Sequence, residues 1–481
     1  MNKSRWSMLA ACCGLGIVFM LAIAFPSVRA TSLDGFWVSD GYGFLIEIHD
    51  TKMSFYETTS VSCLPSMTAE RTTPGQSKGE VIFRDGDELI HVFPGATPDA
   101  LVVHADGSIS NFGLRRVADK PKPCTEKMED TPQNNYAVFW QTFAEQFALF
   151  PLYHADWDAV DRKYRPTVTA TTTPDELFAT LRDMVEPFQN AHISIGNGTN
   201  YHYHGFRPAS EIGRALQQSP QPPIGDMIKK NRQQTKTIIE SKYAEGPLRS
   251  YCNDQVYFGM LKGKIGYLRM VSFNSYAKSG GFGAESEALD AALDDIFKGS
   301  KEMKGLVIDV RLNTGGADPL GVTIASRLTA SRYLAYSKVI RNNLSGPLHF
   351  TEPQPAWVEP SSRPSFRGPT VLLIGPDTVS AGETFSMAVM GRAPKINFVG
   401  ENTQGVFSDV LGRRLPNGWH FGLPNEVYLT KDGKSFDGPG VPPDISVAVF
   451  PAADLDSGRD GGIEKAIQIL GGEGSRAPRG R

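Results

Sequence analysis

The chain has 481 residues, 40% hydrophobic and 21% charged, with a formal net charge of −3. That composition excludes wholesale disorder and a polytopic membrane protein, and the absence of a basic stripe interleaved with aromatics argues against nucleic acid as a partner. At roughly 150 residues per domain, the length predicts about three domains.

In chain order, residues 1–30 read as an export signal: Lys3 and Arg5, the apolar run "MLAACCGLGIVFMLAIAF", then the small residues Val28 and Ala30. Cleavage is expected after Ala30, leaving no integral membrane segment. Two alternatives stand beside it: an uncleaved anchor, because the run is long enough to span a bilayer, and a lipoprotein box in "LAAC". Cleavage would leave Cys63, Cys124 and Cys252 in an oxidising compartment. Cys63 and Cys124 bracket one segment and are expected to be bonded, with Cys252 left over. No Cys or His spacing matches a zinc pattern, so neither metal nor other cofactor is expected.

Residues 31–118 carry short runs rich in β-branched and aromatic residues, "GFWVSD", "FLIEIHD", "KMSFYETTSV", "GEVIFRDGDELIHVFP" and "ALVVHADGSISNFGLRRV", divided by Gly and Asp-Gly turns. This predicts a small antiparallel β domain, barrel or sandwich. After the linker "ADKPKPCTEK", residues 130–200 switch to a helical period, with Phe139, Phe143 and Phe147 on one face and Thr173 as an N-cap, and end at His192. Residues 201–262 are a polar, Pro-rich insert without an assigned structure. Residues 263–455 alternate strands and helices and predict a multidomain α/β protein whose core sheet is largely parallel. Residues 456–481 predict a C-terminal helix and a flexible Gly/Arg-rich tail.

The stretch "VLLIGPDTVSAGETFSM" runs from a buried strand through a turn into a helix, with Ser380 at the junction. A helix N-terminus favours negative charge and suits an oxyanion beside the amide of Ala381. The competing reading makes Ser380 a plain N-cap, with Glu383 completing a capping box. The GxSxG elbow of ordinary α/β-hydrolases is absent, because Thr378 stands where its first Gly belongs. In "DVRLNTGG", Gly315 or Gly316 can bring a second amide to the oxyanion, although Asn-x-Gly-Gly also makes an ordinary turn.

The ordered blocks "GKIGYLRMVSF", "GLVIDVRLNTGG", "VLLIGPDTVSAGETF", "FVGENTQG" and "GPGVPPDI", across residues 264–447, resemble the carboxy-terminal processing (tail-specific) serine peptidase family. "DWDAVDRKYRP" and "FQNAHISI" extend the likeness upstream. The resemblance implies a spiral α/β core shared with crotonase and Clp proteases, a peptide or protein substrate, and Ser380 as nucleophile. Where many members carry the lysine of a Ser-Lys dyad, Val406 stands here; Lys395 reads as a solvated charge at a strand start. The tricorn-core-like branch instead uses a histidine and a downstream carboxylate, which maps onto His192 and Asp437, with His420 in reserve. Taken without the resemblance, His192 is a structural histidine and Asp437 an Asp-Gly turn residue. A carboxylate-binding PDZ loop is not recognisable. A ligand-binding protein on the same core, like the interphotoreceptor retinoid-binding proteins, and an esterase remain alternatives. A histidine base predicts activity falling with pH through roughly 6–7.

Overall fold

The computed structural model describes residues 33–74, 77, 79–206, 224–342 and 349–471. The segment 1–30 expected to be an export signal, the middle of the polar insert and the tail beyond Gly471 lie outside the described residues. No helix among the described residues is long and apolar enough to cross a membrane.

Among the described residues, eight antiparallel strands from Gly35–Ser39 to Phe112–Val117 pair in sequence order and close through the first and the last. Alternation sets the inside: along Lys52–Thr58, Met53 and Phe55 are buried while Ser54 and Tyr56 are partly exposed. Closure removes the sheet edges that an open meander would expose. The expected runs resolve into these strands, and Cys63–Pro74 adds one that the sequence hid, since "CLPSMTAERTTP" lacks β-branched alternation and holds prolines. Cys63 is disulfide-bonded to Cys124, just past the barrel, and Cys252 is free and buried.

The helical segment follows. Pro132–Gln146 is capped by Thr131 and Pro174–Val185 by Thr173, whose amide donates to Glu176 at 2.8 Å in a reciprocal capping box. Phe139, Phe143 and Phe147 pack on one another and on Phe421 of a four-stranded sheet that also contains Ser194–Gly196. This packing holds the strand beginning just after His192 against the strand His420–Pro424.

The core sheet has seven strands among the described residues, of which Ile265–Met270, Gly305–Asp309, Thr370–Ile374, Asn397–Gly400 and Ile445–Ser446 are parallel neighbours. One face, with Leu306, Ile308, Leu372 and Ile374, packs on the helices Gly281–Phe297, Asp318–Ser326 and Ala381–Met390. Val307, Val371, Leu373 and Val399 point the other way, towards Ile238, Ile463 and Ala466 of two further helices. Burial on both faces explains why these strands read as unbroken apolar runs. The polar insert proves to contain the helix Ile224–Ile238 and the strands Arg249–Tyr251 and Val256–Leu261, the latter two extending this sheet antiparallel.

Candidate active site

Ser380 leaves the buried strand Thr370–Ile374 through a turn fixed by Thr378, whose hydroxyl donates to Val310 O at 2.8 Å and accepts from Gly375 N at 3.1 Å. Its backbone is strained, with φ +57° and ψ −125°, a conformation that non-glycine residues adopt only when the surroundings over-determine it. They do so here: Ser380 N–H donates to Val406 O at 3.0 Å and Val379 N–H to Asn313 O at 3.1 Å. The N-cap reading is partly realised, since the Glu383 carboxylate also accepts from Ser380 N–H at 3.3 Å. Glu383 does more than cap. It is fully buried and accepts from Thr403 Oγ1 at 2.6 Å, Gly405 N at 2.6 Å and Val406 N at 2.8 Å. Burial pushes its carboxyl up to about 7 against those donors.

The glycine loop offers one amide to an oxyanion, not two. Gly315 N–H donates to Asn313 Oδ1 at 2.9 Å, so it is not an oxyanion donor in this arrangement. Its role is spatial: at φ +86°, a Cβ there would stand 2.7 Å from Ser380 Cβ. Gly316, at φ +137° and pressed against Phe273 O, and Ala381, at the first position of the helix, are the amides left for a developing oxyanion.

His192 precedes the strand Ser194–Gly196, and its own amide donates to the buried Asn190 Oδ1 at 2.8 Å. With Val379, Thr314, Gln404 and His204 it lines a cavity of about 240 Å³. This places His192 across one cavity from the chain neighbours of Ser380 and Gly315; no hydrogen bond joins it to Ser380 among the described residues. Burial pushes the imidazole down to about 4, and neighbouring His204 pushes the same way, against the Asp409 charge and the Ser408 carbonyl. Nδ1 is buried without a partner.

Asp437 is 7% exposed, accepts from Ser435 Oγ at 2.8 Å and from Phe407 N at 3.4 Å, and is lifted by burial to about 6. No hydrogen bond connects it with His192 among the described residues. The carboxylate whose charge acts on His192 is Asp409, which the sequence reading passed over. Asp409 is held by Lys338 Nζ at 3.1 Å, itself 3.0 Å from Glu426. Burial alone would lower Lys338, but Asp409 and Glu426 outweigh it and keep the amine well above its ordinary value. Tyr42 of the barrel donates to Glu426 Oε1 at 2.6 Å and completes the cluster.

The other bases fall away. Val406 is buried with its carbonyl on Ser380 N–H, and Lys395, 70% exposed, pairs with Asp444 at 2.6 Å. His420 sits exposed on the four-stranded sheet, opposite Gly196.

Residues 264–447 match peptidase family S41, and residues 128–186 match the tricorn protease C1 domain. The chain carries a family S41 peptidase domain. Its enzyme class is serine peptidase. A protein from Parabacteroides merdae ATCC 43184, assigned as a peptidase, is similar at 25% identity over 73% of this chain and 99% of that one, with a TM-score of 0.57. Mature CPAF, solved with lactacystin, shares the fold at 11% identity, over 71% of this chain and 97% of that one, with a TM-score of 0.52. No curated protein matches the chain in sequence.

Proposed function

We propose that this S41 peptidase is exported and hydrolyses peptide bonds through an acyl-enzyme, with Ser380 as nucleophile and His192 rather than a lysine as base, on a core of the crotonase-like spiral type. The observation that carries the reading is the strained Ser380 at a helix N-terminus, beside a cavity that His192 lines. His192 takes the Oγ proton as Oγ attacks the carbonyl carbon, and the oxyanion meets the Gly316 and Ala381 amides. The imidazolium then protonates the leaving amine, and a water deprotonated by the same ring cleaves the ester. We assign the charge facing the imidazolium to Asp409, on the strength of its action on His192, and give Asp437 the holding of the Phe407 amide. The Cys63–Cys124 disulfide supports export, since such bonds persist in oxidising compartments.

A fluorophosphonate probe tests the activated serine directly. Labelling of the wild type, lost in Ser380→Ala and His192→Ala, with turnover losses that do not add, is the expected result. An unlabelled wild type would move the assignment to a ligand-binding protein; labelling with hydrolysis of esters but no peptide would make it an esterase.

A further inference from the structure

Asp318 is the second residue after Gly316 and opens the helix Asp318–Ser326. It is 6% exposed and lies outside the chemistry assigned to Ser380 and His192. Burial, then the Asp409 charge, raise its carboxyl above the ordinary carboxylate range, against donation from Thr384, the Lys338 charge and donation from Tyr428. An acid is therefore costly at a place that an apolar side chain would fill without penalty.

Its two oxygens are spent on different elements. Oδ1 accepts from Thr384 Oγ1 at 2.6 Å, and Oδ2 accepts from Tyr428 OH at 2.8 Å. Thr384 stands one helical turn after Ala381 in the helix Ala381–Met390, and its amide donates to Ser380 O at 3.0 Å. The Thr384 hydroxyl has an acceptor on its own helix, Ala381 O at 3.2 Å, but makes the much shorter contact outward. The bond thus joins the helix that follows Gly316 to the helix that follows Ser380. One turn farther along, a Cβ at Gly321 would stand 3.2 Å from Phe385 Cβ, so the same two helices pack closely there. Apolar packing is non-directional and tolerates sliding, whereas a hydrogen bond has a length and an angle and fixes the axial register. On its other side the glycine loop is pinned by Phe273, whose carbonyl accepts from Ala317 N at 2.8 Å and whose amide donates to Gly315 O at 2.7 Å. Gly316 is held from behind, and the Asp318–Thr384 contact decides where Ala381 stands relative to it.

We propose that the Asp318–Thr384 hydrogen bond is the brace that sets the spacing between the Gly316 and Ala381 amides, which makes both side chains positioning residues for the oxyanion. The proposal rests on the peptidase reading and adds to it what keeps the two donors in register. Donors stabilise an oxyanion only when they sit roughly 2.7–3.1 Å from its position, and a displacement of about 1 Å costs on the order of 10²-fold in rate.

The experiment compares Thr384→Val, Thr384→Ser and Tyr428→Phe in the full chain. Thr384→Val keeps the shape and removes the hydroxyl. Tyr428→Phe takes the donor from the other oxygen of the same carboxylate and serves as the stability control. Thr384→Val is expected to slow fluorophosphonate labelling of Ser380 and to lower kcat by about ten- to hundredfold, with KM for a peptide within about twofold. Thr384→Ser should recover most of that loss. Tyr428→Phe should lower Tm about as much as Thr384→Val does, with kcat within about threefold of wild type. In an Asp318→Ala background, adding Thr384→Val should slow labelling no further. Should Thr384→Val not fold, Thr384→Cys, whose thiol donates only weakly, replaces it and should lower kcat about five- to tenfold. Wild-type rates in the valine or cysteine variant, no recovery in Thr384→Ser, or an equal loss in Tyr428→Phe overturns the proposal. Crystal structures of the wild type and the valine or cysteine variant separate this result from the peptidase reading. An unchanged distance between Gly316 N and Ala381 N sinks the brace alone; a wild type that resists labelling sinks the peptidase reading, and the distance still tests the brace.

Discussion

At pH 5 an imidazole with the ordinary pKa of about 6.5 is only ~3% neutral, whereas one pushed to about 4 is ~90% neutral. Only the neutral ring can take the serine proton. For hydrolysis through Ser380 and His192, kcat/KM should therefore change less than about twofold between pH 7 and pH 5. It should then fall about tenfold per unit below pH ~4, a roughly thirtyfold advantage at pH 5 over an unshifted histidine. This replaces the limb at 6–7 that the sequence alone implies. Two neighbouring acids titrate inside the window, Asp437 at about 6 and Glu383 at about 7. If the reaction required Asp437 ionised, the limb would sit near 6 and vanish in Asp437→Asn. Because the Asp409 charge raises His192, Asp409→Asn should instead shift the limb to lower pH while reducing turnover. The assay is the initial rate on a neutral peptide below KM from pH 3.5 to 8, with Ser380→Ala as blank and tryptophan fluorescence to confirm folding. A limb at 6–7 that survives Asp437→Asn, Asp409→Asn and Glu383→Gln refutes the claim that burial sets the basicity of His192.

Gly315→Ala forces a side chain into a left-handed conformation, at a cost of ~1–2 kcal/mol, and against Ser380 Cβ; fluorophosphonate labelling should slow by about 10²-fold, with a modest fall in Tm. Glu383→Gln turns an amide NH2 towards backbone donors and should destabilise by ~1–3 kcal/mol in denaturant titration. Glu383 is lifted from 4.5 to about 7, so the folded state holds an extra proton in that window and its contribution to stability falls as pH rises through it; the glutamine variant should lose that slope. Cys63→Ser, opening a bridge of sequence separation 61, should cost ~2–4 kcal/mol by urea unfolding. Lys395→Ala, which breaks an exposed pair, should leave turnover unchanged and stability within ~0.5 kcal/mol.

Much of the fold is legible where burial is two-sided or strictly alternating. The run "TVLLIG" could only be an inner strand, and Thr173 with Glu176 announces a helix start. Strands such as Tyr333–Ile340, with the lysine of a buried ion cluster in its middle, escape because a paired charge looks like a surface residue until its partners are in place. The site shows the same limit. Ser380 and His192 stand in recognisable blocks, but Asp409 is one acid in "FSDV" whose effect depends on sheet pairing between Ser194–Gly196 and His420–Pro424. Between Gly315 and Gly316 the sequence does hold a clue: asparagine two residues before a glycine commonly bonds that amide in an Asx turn, and Asn313 does so with Gly315.

The Tyr42 contact has a consequence for how separable the barrel is. Its hydroxyl closes the acceptor shell of Glu426, the acid that shares Lys338 with Asp409. A peptidase core expressed without the barrel would expose the Lys338 ammonium and the Glu426 carboxylate, both now buried, and relaxation of that pair would first displace Asp409, the half-exposed charge proposed to face His192. The β domain is thus a structural cofactor of the catalytic centre supplied in cis, and a transplanted barrel would support activity only if its first loop brought a hydrogen-bond donor to the same oxygen.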